Sequence, residues 1–193
     1  MPKAKKNTLK IRWLETMIDY DGTLLHSGWI QKASGLEGNA MAAFCGRADV
    51  PVENMVDLED VAANAPIFSE AMLHFIVEIF DGDLEKMVLR QRLLMAIIEE
   101  ELKKYPACAK IARKGDDLFD GPAKLSVSIA THSPRSGLIH TGLNISSRNT
   151  PVLTKGLADY DISPKKLAVE VMAHFAEELA GIRHAAGKVR PVG

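Results

Sequence analysis

The chain has 193 residues, of which 47% are hydrophobic and 25% charged, and its formal net charge is −1 at pH 7. A chain of this length can bury a core of its own, and we predict one domain spanning residues 1–193. The near-zero net charge argues against general nucleic-acid binding, which needs a basic surface. No segment approaches the about 20 consecutive apolar residues of a membrane helix. We therefore expect no membrane partner. We expect a cytoplasmic protein, because two cysteines are too few for a disulfide scaffold.

The N-terminal region combines a lysine-rich tail, expected to be solvated, with a moderately apolar segment at 8–18 that we predict to be a strand. The string at 19–25 resembles the first motif of the haloacid-dehalogenase-like phosphatases. In that family the first aspartate, here Asp19, is the nucleophile and the second, here Asp21, is a general acid/base beside magnesium. A buried parallel strand should precede this motif as a continuous apolar run, yet Glu15 interrupts it. A polar hairpin turn is the competing interpretation.

The next segments predict further strands around an acidic connection. Residues 39–45 are small and apolar and indicate a strand, whereas the acidic segment 50–65 indicates a surface loop or a short helix. Residues 67–80 are richly apolar, and periodicity alone does not distinguish a buried strand from a helix. In a helix, His74 and Glu78 would share a face as a weak metal-binding pair. Because a third ligand is missing, we predict no metal site.

Two long helices are the clearest elements in the sequence. The first spans 83–104 and the second 164–186, where Pro164 occupies the first turn and Ser163 is the expected N-cap. A short strand is predicted at 108–113. Apolar residues at helical spacing mark one face of each long helix: Leu84, Met87, Val88, Leu94, Ile97, Ile98 and Leu102 in the first, and Ala168, Val171, Met172, Phe175, Leu179 and Ile182 in the second.

The candidate site lies in the segment 114–145. An acidic, glycine-bearing turn at 115–121 precedes two alternating segments, 124–132 and 138–145, which predict an antiparallel pair of strands. If the apolar residues Leu125, Val127 and Ile129 face the same core as Ile139, Leu143 and Ile145, the polar residues share the opposite face. A solvated hairpin surface is the alternative interpretation. The polar set consists of Lys124, Ser126, Ser128, His140 and Asn144.

The acidic segment 116–121 followed by Lys124 resembles the core motif of the biotin protein ligases, lipoate ligases and octanoyl transferases. These enzymes share the class II aminoacyl-tRNA synthetase fold. The octanoyl transferases continue to a histidine and a Leu-Asn-Val string, positions that His140 and 143–145 occupy here. The resemblance covers about 36–146 and implies an α+β fold with a mixed, largely antiparallel sheet and helices on one face. The whole chain also resembles an uncharacterised prokaryotic family of unknown function.

The resemblance implies a specific chemistry for the candidate residues. In the ligases the lysine contacts the acyl carbonyl or the adenylate phosphate, where a fixed cation stabilises developing negative charge. That role falls to Lys124, and Asp117 matches the acidic position before the lysine. The ligand implied is a small acyl or carboxylate compound. Four further side chains could orient its carboxylate or carbonyl by hydrogen bonds: Ser126, Ser128, His140 and Asn144.

Two departures from these enzymes leave the reaction open. The Gly/Arg-rich loop of the biotin ligases corresponds to 35–47, which contains one arginine, and this argues against ATP-dependent adenylation. The octanoyl transferases use a nucleophilic cysteine after the hairpin, and no cysteine follows Cys108 here. The cofactor therefore stays unassigned, with ATP the candidate. A non-catalytic small-molecule-binding protein on the same fold is the alternative, and we expect a homodimer formed through an edge strand or a helix.

Overall fold

The computed structural model describes residues 8–192, so the lysine-rich tail before residue 7 lies outside the described part of the chain. A five-stranded sheet in the order β1-β2-β3-β8-β7 forms the centre. β1 runs parallel to β2, and every other neighbouring pair is antiparallel, which confirms the predicted mixed, largely antiparallel sheet. Its strands are β1 Lys10–Trp13, β2 Ala40–Val50, β3 Ile67–Ile79, β7 Ser126–His132 and β8 Gly137–Asn144.

Two long helices, α3 Leu84–Lys103 and α4 Pro164–Gly187, cover one face of this sheet. Both begin at a side-chain cap, because Asp83 accepts from the backbone N–H of Lys86 and Ser163 from that of Lys166. Their positions confirm the predicted helices to within one residue at each end. Between them and the sheet lies the main apolar core. No helix within residues 8–192 combines the length and apolarity needed to cross a membrane.

The opposite face carries a second, smaller apolar core that the sequence did not predict. The N-terminal chain crosses this face and forms the six-residue helix α1, Trp29–Ser34, between two left-handed glycines, Gly28 and Gly35. Trp29 and Ile30 pack there against Phe44 of β2. Helices therefore lie on both faces, although both long ones share one face. A helix this short has too few turns for its period to show in the sequence.

The acidic segment 115–121, predicted as a turn, contains a strand instead. Gly115 and Gly121, with φ of 67° and 57°, form two tight turns, and the residues between them pair on both sides. The predicted short strand at 108–113 starts later, because Cys108 ends a 3-10 turn. The resulting three-stranded sheet consists of β4 Ile111–Lys114, β5 Asp117–Asp120 and β6 Ala123–Lys124.

The register of β7 on β8 differs from the one expected. Ser126 pairs with Leu143, and Ile129 pairs with His140. Since directly opposed residues point to the same face, Ser126 lies on the α3/α4 side and Ile129 on the other. The assumption that all apolar residues of the two strands face one core is therefore wrong. It fails because both faces of this sheet carry apolar clusters, so either face accepts an apolar side chain.

Candidate functional site

Two adjoining cavities open on the sheet face opposite α3 and α4. The first, with a volume of about 260 Å³, has Tyr20 and His140 in its lining, and carboxyl groups from two segments surround it, so we call it the acidic cavity. One wall is the chain at 50–60, which includes the start of helix α2, Leu58–Ala63. This helix fits the loop or short helix predicted for the acidic segment. The second cavity, about 200 Å³, is lined largely by aliphatic and aromatic side chains and is called the apolar cavity.

Lys124 lies where the two cavities meet, since it lines both of them. Its Nζ is 2.8 Å from Oδ2 of Asp117. Ser126 Oγ donates to the other oxygen of Asp117 at 3.2 Å and accepts from the backbone N–H of Leu118 at 2.8 Å. Burial raises the pKa of Asp117, and this effect outweighs the opposing effect of Lys124. The lysine is thus held by a partly buried carboxylate that is itself held in place.

The floor of the acidic cavity is a stack of aromatic rings. The Tyr20 ring lies on the His140 ring at a centroid distance of 3.8 Å and an interplanar angle of 10°. Behind them, His74 Nδ1 is 3.1 Å from His140 Nε2. Burial lowers the pKa of His74 to about 4 and that of His140 well below its usual value, so both imidazoles are neutral at pH 7. Burial likewise raises the pKa of Tyr20.

The structure brings most of the predicted site residues together. Lys124, Asp117 and His140 line the acidic cavity, and Asn144 lines the apolar cavity, with its Nδ2 3.5 Å from the backbone carbonyl oxygen of Lys124. Lys124 and Asn144 therefore share one cavity. In contrast to the expected polar face, the two serines lie on the other side of β7.

The serine hydroxyls are engaged inside the protein. Ser128 Oγ accepts from Gln91 Nε2 at 3.1 Å and lies 2.9 Å from Thr141 Oγ1, and Ser126 Oγ holds Asp117. Both residues contribute to the cavity walls, Ser128 in the acidic and Ser126 in the apolar cavity. Their hydroxyl bonds fit a role in support of the strands and of Asp117.

Sequence analysis did not place Tyr20 at the site, and it considered His74 only as half of a weak metal-binding pair. Tyr20 stands inside the phosphatase-like string, where the flanking aspartates drew attention, and it reaches the cavity because it bridges to Ala48 of β2. The Asp19 carboxylate instead accepts a hydrogen bond from the backbone N–H of Arg47, and the Asp21 carboxylate accepts one from the backbone N–H of Thr23. Neither aspartate lines the cavity. The largely antiparallel sheet removes the structural basis of the phosphatase interpretation.

His74 and Glu78 do not form a pair. They lie on β3, a strand, where a spacing of four places them about 13 Å apart. Glu78 accepts from Ser27 Oγ, the Gly28 N–H and Ser136 Oγ, which makes it a structural carboxylate. Among residues 8–192, no group of three or more His, Cys, Asp or Glu side chains is arranged to hold a metal ion.

Comparison with known proteins places the chain in a family. Residues 9–190 match the model of the Domain of unknown function DUF366. The chain belongs to the DUF366 family. An uncharacterised protein of Methanocaldococcus jannaschii is 35% identical to this DUF366 protein over 191 residues, covering 95% of this chain and 86% of the relative. A solved protein of unknown function from Pyrococcus horikoshi superposes with a TM-score of 0.87 at 34% identity, covering 95% and 100% of the two chains.

More distant solved structures show the fold of this DUF366 protein. The biotin protein ligase of Aquifex aeolicus, in complex with biotin and ATP, gives a TM-score of 0.57 at 15% identity and covers 88% of this chain and 70% of the ligase. A proposed lipoate protein ligase from T. acidophilum with bound lipoic acid gives 0.56 at 16% identity, covering 89% and 86%. These neighbours confirm the predicted class II synthetase-like fold of the biotin and lipoate ligases.

Proposed function

We propose that this DUF366 protein binds a small acyl or carboxylate compound at Lys124 and catalyses transfer or ligation of its acyl group. The observation that carries the proposal is the position of Lys124, whose side chain lines both cavities and is held by Asp117. A fixed ammonium at such a junction can face the oxygen of a carbonyl or carboxylate, where negative charge develops during acyl transfer. The ligase-like fold supports this assignment by analogy.

The apolar cavity supplies the complementary half of such a site. Phe68, Met72 and Val127 give it an apolar lining beside the Lys124 side chain. Asn144, which is 6% exposed, adds a carboxamide that can hydrogen-bond a ligand oxygen. An apolar ligand body with an oxygen-bearing end fits this combination. We retain the cytoplasm as the proposed location, since Cys45 and Cys108 are free thiols, and a homodimer as the proposed assembly.

A non-catalytic binding protein is the second candidate, and the cysteines favour it. Cys108 is fully buried, burial raises the pKa of its thiol, and neither Cys108 nor Cys45 lines either cavity. A covalent thioester intermediate would therefore have no nucleophile at Lys124. Either the reaction transfers the acyl group directly between two bound substrates, or the protein binds its ligand without turnover.

The test is a thermal-shift and calorimetric screen of nucleotides, acyl-CoAs, acyl-carrier thioesters, biotin and lipoate. A compound that binds the native state raises the melting temperature. We expect Lys124→Met to weaken binding of a hit by at least about 10-fold, which corresponds to about 1.4 kcal/mol. Lys114→Met, at an exposed position on β4, is the matched control and should bind normally. Equal affinity in the Lys124 variant would refute the proposed site.

A turnover assay separates the two candidate functions. Wild-type protein is incubated with the hit, with and without ATP, and the acyl product and ATP consumption are followed. Product that disappears in Lys124→Met supports the enzyme. Tight, Lys124-dependent binding without product or ATP consumption supports the binding protein.

A further inference from the structure

We propose that the ligand at Lys124 carries a cationic amine, which binds in the acidic cavity while the acyl or carboxylate end lies at the lysine. This inference rests on the proposed function and specifies its substrate class as amine-bearing carboxylates and their acyl derivatives. The geometry that points to it is an uneven distribution of charge within one cavity. One ammonium, that of Lys124, stands against a wall of carboxylates.

The carboxylates come from two separate segments of the chain, both of which line the cavity. The chain at 50–60 contributes one group, and the start of β5 with the residue before it contributes the other. Asp116 and Asp117 of the second group have cationic neighbours, Arg92 at 3.7 Å and Lys124 at 2.8 Å. Within residues 8–192 the first group forms no ion pair. Its members are Asp57, Glu59 and Asp60.

A negative cavity of this kind concentrates cations and repels anions. A free carboxylate or phosphate gains from Lys124 alone, and it approaches three uncompensated carboxyl groups. An ammonium at the other end of the same molecule removes this conflict, because it forms charge-assisted hydrogen bonds with the wall. The arrangement therefore selects for a ligand whose two ends carry opposite charges.

Two buried polar groups at the floor point independently to a hydrogen-bonding ligand. Tyr20 and His140 are each 4% exposed and both line the acidic cavity. In the described part of the chain, the Tyr20 hydroxyl makes no hydrogen bond, and His140 is bonded through Nε2 alone, to His74. Because both residues line the acidic cavity, these unpaired polar groups are available to hydrogen-bond a ligand there.

The chemistry of these free groups matches an ammonium. An ammonium offers three hydrogen-bond donors and no acceptor. When His140 Nε2–H donates to His74, the remaining Nδ1 of His140 is an acceptor, and the Tyr20 oxygen is another. Together with the carboxylates of Asp57 and Asp60, the cavity offers acceptors from its floor and its wall. This combination distinguishes an amine from an uncharged alkyl group of the same size.

The experiment compares pairs of probes that differ only in the amine. 6-Aminohexanoate is titrated against heptanoate, in which a methyl group replaces the ammonium, and the series from 4-aminobutanoate to 8-aminooctanoate covers the unknown spacing. Hexylamine serves as the probe without a carboxylate. We expect the best amino acid of the series to bind at least about 10-fold more tightly than its methyl counterpart, a difference that one favourable charge contact can supply.

Variants of the wall assign this preference to the acidic cavity. Asp57→Asn combined with Asp60→Asn should remove the preference, and asparagine at Asp57 retains the N-cap of α2. Glu53→Gln is the matched control, because Glu53 is exposed on the same segment and does not line the cavity. The preference should also shrink as salt is added, as expected for a partly exposed charge contact.

The outcomes separate this inference from the proposed function. Equal binding of 6-aminohexanoate and heptanoate, both weakened by Lys124→Met, overturns the amine and leaves the Lys124 site standing. Hexylamine binding that needs the wall carboxylates and is unchanged in Lys124→Met supports amine binding in the acidic cavity and overturns the acyl site. Absence of binding for the whole probe series overturns the amine proposal.

Discussion

Lys124 Nζ lies 2.8 Å from Oδ2 of Asp117 at the junction of the acidic and apolar cavities. Their side chains are 33% and 21% exposed. The pair is therefore partly desolvated, and each charge stabilises the charged form of the other. Ser126 fixes the second oxygen of the carboxylate. Asp117, Lys124 and Ser126 lie on three strands, β5, β6 and β7, and together they fix the position of the ammonium.

The first prediction concerns this pair. Lys124→Met should lower the free energy of unfolding by about 1–2 kcal/mol, because it leaves a partly buried carboxylate without its cation. In an Asp117→Asn background the same change should cost less, giving a coupling free energy of about 1 kcal/mol in a double-mutant cycle measured by urea denaturation. Additive effects of the two substitutions would show that the contact does not form in solution. Lys114→Met is the control.

The second prediction concerns acid stability. Burial lowers the pKa of His74 from 6.5 to about 4, so the unfolded chain binds a proton that the folded protein does not. The contribution of His74 to the free energy of unfolding is therefore complete above pH 6.5 and is lost as the pH falls toward 4. We expect a loss on the order of 3 kcal/mol from His74, with a further contribution from the neighbouring His140.

Denaturation curves at pH 7, 5.5 and 4.5 measure this loss. His74→Phe should flatten the pH dependence, whereas His132→Gln, at an exposed position, should leave it as in the wild type. If the free energy of unfolding of the wild type were constant between pH 7 and 4.5, the buried, neutral state of His74 and His140 would be contradicted.

The third prediction tests where the N-terminal chain crosses the sheet. A Cβ on Gly46 would lie 1.8 Å from the backbone oxygen of Ile18, which has no freedom to move aside. Gly46→Ala should therefore destabilise the protein by on the order of 3 kcal/mol or more. Gly181→Ala is the matched control, because nothing lies within 4 Å of its Cβ in α4, and it should stabilise by about 0.5–1 kcal/mol. Similar melting temperatures for the two variants would refute the crossing.

The fourth prediction concerns Glu78, which is 3% exposed and ties the start of α1 to the loop before β8. Its Oε1 accepts from Ser27 Oγ at 2.6 Å and Ser136 Oγ at 2.7 Å, and the Gly28 N–H donates at 3.0 Å. Glu78→Gln replaces an acceptor oxygen by a donor and should cost about 1–3 kcal/mol in urea denaturation. Glu177→Gln, exposed on α4, should cost nothing measurable. A neutral Glu78→Gln would show that the carboxylate does not hold α1.

Local features of the sequence determined the two long helices and several of the strands, whereas α1 and β5 were not predicted. The apolar spacing and the caps at Asp83 and Ser163 located α3 and α4, because helix period and capping are properties of neighbouring residues. The alternation of β7 and β8 likewise located two strands, and the lysine after the acidic segment indicated the ligase-like fold. The resemblance also assigned Lys124 and Asp117 to one site, and the structure places their side chains in contact.

The tertiary structure alone decided which strand faces meet and what forms the floor of the site. Alternation shows that Ser126 and Val127 point to opposite sides, but it does not show which side faces the helices when both sides carry a core. Tyr20 stacks on His140 only because the N-terminal chain bridges to β2 at Ala48. Such pairings depend on long-range backbone hydrogen bonds and packing, which leave no periodic mark in the sequence.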